Sequence, residues 1–209
     1  MNHAHGYDLN LATREAYLHS HYSTSGDEES GVEYRMATTF VKNLHILGHA
    51  GTDPVLVHLQ SPGGDWGHGM AMYDAIVVAP FKITMLAYGE ISSMSSIIFQ
   101  APHRRVMMAN AEFMIHRGYL TLDGVSSTVV ANAVWNKKMD HKMLQIYAAR
   151  AINGEYFKRR KMNQNQVFAF IDKKINKLGD WNLDAAEAVH FGFADAVVNN
   201  SDEFIAIRS

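Results

Sequence analysis

The sequence predicts an α/β fold with largely parallel strands, and three features carry that prediction. Short, nearly continuous apolar runs such as Val55 to Leu59 and Ile83 to Ala87 suit strands buried on both faces. Segments with apolar residues every three or four positions lie between them, so strand and helix alternate through the first half of the chain. Composition supplies the third: 47% of the 209 residues are hydrophobic and 19% charged, which is enough to build the core of one ordinary domain.

Taken in order, residues 1–13 read as a flexible arm and Arg14 to Tyr22 as a first strand. The small, acidic stretch Ser23 to Gly31 reads as a loop. Val32, Met36, Phe40, Leu44 and Leu47 then mark one face of a helix closed by Gly48. Val55 to Leu59 is a strand, followed by the turn Ser61-Pro62-Gly63-Gly64. Met70, Tyr73 and Val77 mark a second helix that ends before Pro80. Ile83 to Ala87 is a strand, Ser92 to Gln100 a helix broken by Pro102, and Arg105 to Met108 and Glu112 to Ile115 two short strands. Val125 to Met162 is a long helical stretch that Asn153-Gly154 interrupts, and Asn165 to Lys177 is another helix. The long stretch carries more apolar surface than one domain needs, which suggests an interface. Asp184 with Glu187 has the spacing of a capping box for a short helix ending at Gly192. Ala194 to Val198 reads as a last core strand and Phe204 to Ile207 as an edge strand.

Several function classes are disfavoured at this level. Nineteen basic against 21 acidic side chains give a net charge of −2, which argues against binding nucleic acid by phosphate neutralisation. The absence of cysteine excludes a disulfide scaffold, a thiol nucleophile and a cysteine metal site. The twelve histidines are scattered, with no His-Glu-x-x-His pair, so no metal site is predicted. No run of 18 apolar residues occurs, and the polar start lacks a signal peptide's pattern. The expectation is a soluble, cytoplasmic protein without membrane partners.

Four segments bear on chemistry. Ser61 to Asp74 places Pro62-Gly63-Gly64 directly after a buried strand, where exposed backbone N–H groups can hold an oxyanion or a phosphate. No Gly-Lys-Ser/Thr follows, so it is not a P-loop. Gly89 to Ala101 places serines at a strand-to-helix junction, near the positive end of a helix dipole. His116 ends the apolar strand Phe113-Met114-Ile115, and Asp180 lies in Gly179-Asp180-Trp181. Taken singly, these are ordinary features: a turn, a helix cap, a structural histidine and a turn aspartate.

In order and context the four segments resemble the Clp protease proteolytic subunit family of self-compartmentalised serine peptidases, across roughly residues 32–198. The family's S-P-G-G and G-x-x-x-Y-D appear as Ser61-Pro62-Gly63-Gly64 and Gly69 to Asp74. Its G-x-A-A-S-M appears as Gly89-Glu90-Ile91-Ser92-Ser93-Met94, and its M-I-H as Met114-Ile115-His116. Its D-x-x-L-S-A-x-E-A segment appears as Asp180 to Ala188, followed by Gly192 and Asp195. The resemblance implies a single domain over residues 1–209, folded as a crotonase-like spiral of βαβ units. A long protruding handle helix would lie within about residues 120–178. The resemblance places Ser93, not Ser92, on the nucleophile position, His116 on the general base and Asp180 on the residue that orients it. The backbone N–H groups of Gly64 and Met94 fall on the oxyanion hole. It implies cleavage of unfolded polypeptides or peptides inside a homo-oligomeric ring, stacked as a double ring, with no metal or other cofactor.

This chain departs from the family pattern in five respects. Ile91-Ser92 replaces Ala-Ala, and Ser95-Ser96 replaces a Gly-Ala type pair, bringing bulk and hydroxyls beside the nucleophile. Ser93 and His116 are 23 positions apart, slightly short of the family spacing; His116 and Asp180 are 64 apart, clearly longer. The extra residues are expected near 152–162, where Lys158 to Lys161 form a basic run that reads as a solvated helix face. Leu56 and His58 stand where the family often carries aromatics that help dock an ATPase, so an AAA+ unfoldase partner is the loosest implication. Three other readings stay open: a phage-type or partner-specific processing protease acting without an ATPase, a catalytically silent ring subunit, and an acyl-CoA enzyme of the crotonase type. The three triad residue types argue against the last two.

Overall fold

The computed structural model describes residues 7–19, 31–119 and 121–207. One mixed sheet contains eight strands: β1 (Leu9–Asn10), β2 (Glu15–His19), β3 (Val55–Ser61), β4 (Ile83–Ser92), β5 (Arg104–Met108), β6 (Glu112–Ile115), β7 (Trp181–Asp184) and β8 (Ala196–Val198). Eight helices occur among the described residues: α1 (Tyr34–Ala50), α2 (Trp66–Val77), α3 (Met94–Ile98), α4 (Ser126–Ala151), α5 (Glu155–Arg159), α6 (Gln164–Leu178), α7 (Ala185–His190) and α8 (Ser201–Ala206). The α/β class and the parallel pairing are as the sequence predicts. Strands β2, β3, β4, β5 and β8 run parallel in that order, and β1 closes the edge antiparallel to β2.

Strand β4 makes the architecture a spiral. Its residues 84–87 pair with β5, whereas residues 90–92 pair with β6, which in turn pairs antiparallel with β7. Gly89 lies between the two halves with φ of 44°, a conformation that glycine adopts without steric cost. The strand is therefore longer than the predicted Ile83 to Ala87, and its extension carries Ser92 to the brink of the next helix. The main core lies between the sheet and α1 to α7. A smaller apolar cluster of Leu56, Leu86, Val106, Val198 and Ile207 lies apart from it, with Phe204 of α8 packed against it.

Several boundaries differ from the prediction for identifiable reasons. Part of the expected arm is anchored: β1 pairs with β2, Asn43 Nδ2 donates to the Tyr7 carbonyl at 2.6 Å, and the Arg14 guanidinium donates to the carbonyls of Leu47, Gly51 and Asp53. Residues 1–6 and most of the acidic loop, residues 20–30, lie outside the described residues. Helix α1 runs through Gly48 to Ala50 and is capped by Gly51, whose φ of 143° favours glycine. Gly48 lies inside the helix, where a Cβ would make ordinary contact with Pro80, 3.4 Å away. Helix α2 is rotated from the predicted face: Gly69, Met70, Met72 and Ile76 are buried, while Val77 is exposed. The predicted edge strand at Phe204 to Ile207 is overturned. The segment is α8, begun by Asn200, whose side chain accepts from Glu203 N–H at 3.0 Å.

The interruption of the long helical stretch has a packing cause. A Cβ on Gly154 would lie 2.4 Å from the Phe191 carbonyl carbon, so the chain presses directly on the Phe191–Gly192 backbone. Helix α4 spans 26 residues, yet its buried side chains run only from Met143 to Ala151. Val130, Val134 and Trp135 in its N-terminal half are exposed. The basic residues Lys158, Arg159, Arg160 and Lys161 are exposed, with Arg159 paired to Glu155 and Arg160 over the Tyr156 ring. Among the described residues, no helix is long and apolar enough to cross a membrane.

Candidate active site

Three strand ends converge at the site, and their register explains why. In the parallel β4–β6 pair Ser92 lies opposite Met114, and the next amide, Ser93 N–H, donates to the Met114 carbonyl at 3.1 Å. In the antiparallel β6–β7 pair the last partners are Ile115 and Trp181. The residues one step beyond that pair are His116 on one strand and Asp180 on the other. A side chain thus emerges from each of three adjacent strand ends. Ser93 Oγ lies 2.8 Å from His116 Nε2, and His116 Nδ1 lies 3.1 Å from Asp180 Oδ1. The carboxylate can only accept, so Nδ1 carries the imidazole proton and Nε2 presents its lone pair to the Ser93 hydroxyl.

Ser93 occupies a strained turn. Its φ of 53° and ψ of −124° put a non-glycine residue in a sparsely populated region, at a cost of about 1–3 kcal/mol. The strain turns the chain sharply from β4 into α3, which starts at Met94 rather than at the predicted Ser92. Neighbouring groups hold the turn in place. The Ser93 carbonyl accepts from Ser96 N–H at 3.1 Å and from Ser96 Oγ at 2.6 Å. Ser96 Oγ also lies 2.6 Å from the hydroxyl of Tyr147, a fully buried residue of α4. Burial drives the Tyr147 phenol far above its ordinary range, only partly offset by the Ser96 hydrogen bond, so it stays protonated.

The Pro62-Gly63-Gly64 turn packs directly on this junction. A Cβ on Gly63 would fall 2.5 Å from Ser93 Cβ, 2.7 Å from the Ser92 carbonyl and 3.0 Å from Met94 N. Gly63 and Gly64 have φ of 103° and 148°, which favour glycine on dihedral grounds as well. A single parallel bridge holds the turn to Val32: Val32 N–H donates to the Gly63 carbonyl, and Asp65 N–H to the Val32 carbonyl. Neither Gly64 N–H nor Met94 N–H donates in the backbone hydrogen bonds among the described residues.

The structure thus brings Ser93, His116 and Asp180 into one hydrogen-bonded chain and sets the Gly63-Gly64 turn against it. All four departures from the family pattern around Ser93 are buried: Ile91, Ser92, Ser95 and Ser96. Ser96 is the departure with a defined role, whereas Ser95 Oγ is buried without a hydrogen-bond partner among the described residues. Sequence reasoning missed Tyr147, which reads as one more apolar position of a long helix. It also missed Arg105, whose buried guanidinium pairs with Asp195 and donates to Gln100 and to the Gly192 and Phe193 carbonyls, tying α3, β5 and the start of β8 together. No group of three or more histidine, aspartate or glutamate side chains converges as a metal-binding set among the described residues.

Comparison with known proteins identifies the family of the chain. A family model described as Clp protease matches residues 28–201. The chain is 25% identical over 175 residues to the ATP-dependent Clp protease proteolytic subunit 2 of Pseudomonas aeruginosa, covering 83% of this chain and 80% of that one. It is 29% identical over 154 residues to the proteolytic subunit 1 of Protochlamydia amoebophila, covering 72% and 68%. It is 27% identical over 154 residues to the proteolytic subunit 2 of Treponema denticola, covering 71% and 68%. The match takes in β3 through β8, every strand end that builds the site, and the chain belongs to the Clp protease family.

Proposed function

We propose that this protein is a serine endopeptidase that cleaves unfolded polypeptides or peptides by acyl transfer, as a single domain assembled into a ring. The observation that carries the reading is the continuous contact from Ser93 Oγ to His116 Nε2 and from His116 Nδ1 to Asp180. His116 accepts the Ser93 proton as Oγ attacks the peptide carbonyl, then gives it to the departing amine. Water, deprotonated by the same imidazole, releases the acyl group. Asp180 holds the tautomer and stabilises the imidazolium. The N–H groups of Gly64 and Met94 receive the oxyanion, and one such donor is worth about 3–4 kcal/mol of transition-state stabilisation. The strained turn at Ser93 supports this assignment, because it makes Oγ emerge at the junction rather than along a strand face.

Assembly into a ring, and stacking of two rings, draws support from α4, whose N-terminal half extends beyond the core with Val130, Val134 and Trp135 exposed. The relatives' names include ATP dependence, which supports an AAA+ unfoldase as partner of a cytoplasmic assembly. The test of the catalytic reading is the intact mass of the protein after treatment with a fluorophosphonate. One adduct per subunit, absent from Ser93→Ala, is the expected result. Lack of any adduct on the folded oligomer would overturn it in favour of a silent ring subunit.

A further inference from the structure

The catalytic contacts leave one strong interaction unused, beside His116. Arg117 donates through Nε to Asn176 Oδ1 at 3.1 Å and through one terminal nitrogen to Asp140 Oδ2 at 2.6 Å. Its other terminal nitrogen pairs with Asp172. Asn176 Nδ2 in turn donates to the same Asp172 oxygen at 3.1 Å. Asp140 belongs to α4, and Asp172 and Asn176 to α6. A planar guanidinium can satisfy three acceptors from two helices at once, which an ammonium cannot do in that geometry.

The location gives the network its meaning. The β6–β7 ladder ends at Ile115 and Trp181, so neither His116 nor Asp180 is held by a ladder partner. Asp180 is also about half exposed, and among the described residues its carboxylate makes a single hydrogen bond, to the imidazole, in competition with water. Beyond Arg117 the chain leaves the body of the protein: a Cβ on Gly118 would meet nothing within 4 Å, and Tyr119 is 94% exposed. Tyr119 sets its ring edge-on to the His116 imidazole, 5.9 Å between centroids, but Arg117 is the residue after His116 whose side chain is hydrogen-bonded to the helices. Asp172 and Asn176 are four apart on the helix that leads, through Gly179, into Asp180.

We propose that Arg117 is a positioning residue that braces the open end of this ladder, holding the strand that carries His116 to the helix that delivers Asp180. The brace rests on the acyl-transfer reading of Ser93 and acts only through the His116–Asp180 contact. It follows that Arg117 matters while Asp180 is present and ceases to matter once Asp180 is gone.

The experiment compares the full-length protein with Arg117→Ala, Arg117→Lys, Asp180→Ala and the Arg117→Ala/Asp180→Ala double variant. The rate of Ser93 modification by a fluorophosphonate is followed by intact mass. The downfield Nδ1 proton resonance of His116, a signature of its bond to a carboxylate, is recorded in parallel. Arg117→Ala is expected to slow modification about 10- to 100-fold, the range in which a displaced catalytic group operates, and to abolish the resonance. Arg117→Lys is expected to fall between Arg117→Ala and wild type. In the Asp180→Ala background Arg117→Ala is expected to change the rate by less than about threefold, because the two act on one contact. A wild-type rate in Arg117→Ala, or its full effect repeated without Asp180, would overturn the brace. Should the wild type itself take no label at Ser93, the acyl-transfer reading fails, and the resonance decides the brace separately: its persistence in Arg117→Ala overturns it and its loss retains it. If Arg117→Ala does not fold, Asp172→Asn takes its place with the same expected pattern.

Discussion

The two ends of the Ser93–His116–Asp180 chain are built in opposite ways. Around Ser93 nearly every group is buried and specified more than once: a strained backbone, a carbonyl with two donors, a glycine turn in van der Waals contact and a tyrosine hydroxyl from a distant helix. Around Asp180 the side chain is half exposed, the preceding Gly179 has open space beside it, and among the described residues the carboxylate is hydrogen-bonded to His116 alone. The difference matches what each end must do. In the proposed acyl transfer the serine oxygen has to meet a carbonyl and an oxyanion site within tenths of an ångström. In the same proposal the aspartate has only to keep an imidazole turned, and the Arg117 network beside His116 would back it. Rigid packing holds Ser93, and polar contacts near the surface hold the His116–Asp180 end.

The sharpest way to break that contrast is at Gly63. Gly63→Ala puts a methyl group 2.5 Å from Ser93 Cβ, with backbone on its other side, at a φ of 103° that alanine rarely adopts. Backbone has to move, and the Gly63-Gly64 turn and Ser93 move with it. Fluorophosphonate modification of Ser93 is expected to fall by at least about 100-fold. The thermal midpoint should drop as well, since the dihedral alone costs about 1–3 kcal/mol. Modification at the wild-type rate would mean that the Ser93 turn is far more yielding than its packing implies.

Much of this contrast was legible in the sequence, and the reason lies in how far apart the contacting residues are. Ser93, His116 and Asp180 each sit in a short local motif that resembles one of the family's, so the resemblance could single out all three beside the turn at Gly64. The α/β alternation was equally local, as were the capping box at Asp184 and the helix break at Gly154. What escaped depends on register and long-range pairing. Nothing local pairs Ile115 with Trp181, and that pairing alone puts His116 opposite Asp180. Ser96 and Tyr147 are 51 residues apart, and Arg117 meets Asp172 across 55. The misread C-terminus is a different case. The apolar run Phe204 to Ile207 suggested a strand, but Asn200 followed three residues later by Glu203 is a helix start, and the cap prevailed over the run.

The buried hydroxyl pair offers a smaller, purely energetic test of the same comparison. Ser96→Ala removes one donor from the Ser93 carbonyl and leaves the Tyr147 hydroxyl without a partner in a fully buried site. Stranding that group should cost about 1–3 kcal/mol in a denaturant melt. Tyr147→Phe alone strands less, because Ser96 Oγ still donates to the Ser93 carbonyl. The double variant Ser96→Ala/Tyr147→Phe is expected to be more stable than Ser96→Ala alone, since removing both polar groups removes the penalty of leaving one unpaired. Strict additivity of the two losses would show that the hydroxyls do not act as a pair, and that α4 does not steady the Ser93 turn through them.

The smallest effect should come from Gly179, the glycine at the other end of the chain. Gly179 has a φ of 76°, not far from that of Gly63, yet an added Cβ meets nothing within 4 Å. Gly179→Ala therefore carries the dihedral penalty, about 1–3 kcal/mol, without the collision. Asp180 has solvent on one side and can follow a small shift of its backbone, while Asp172 and Asn176 still hold α6 to Arg117. Ser93 modification is expected to slow by less than about tenfold, well short of the loss in Gly63→Ala. Similar stability losses with very different losses of reactivity would show that space, not backbone angle, separates the two ends. Equal losses of reactivity would mean that Asp180 is held as tightly as Ser93, and that its exposure is no measure of its freedom.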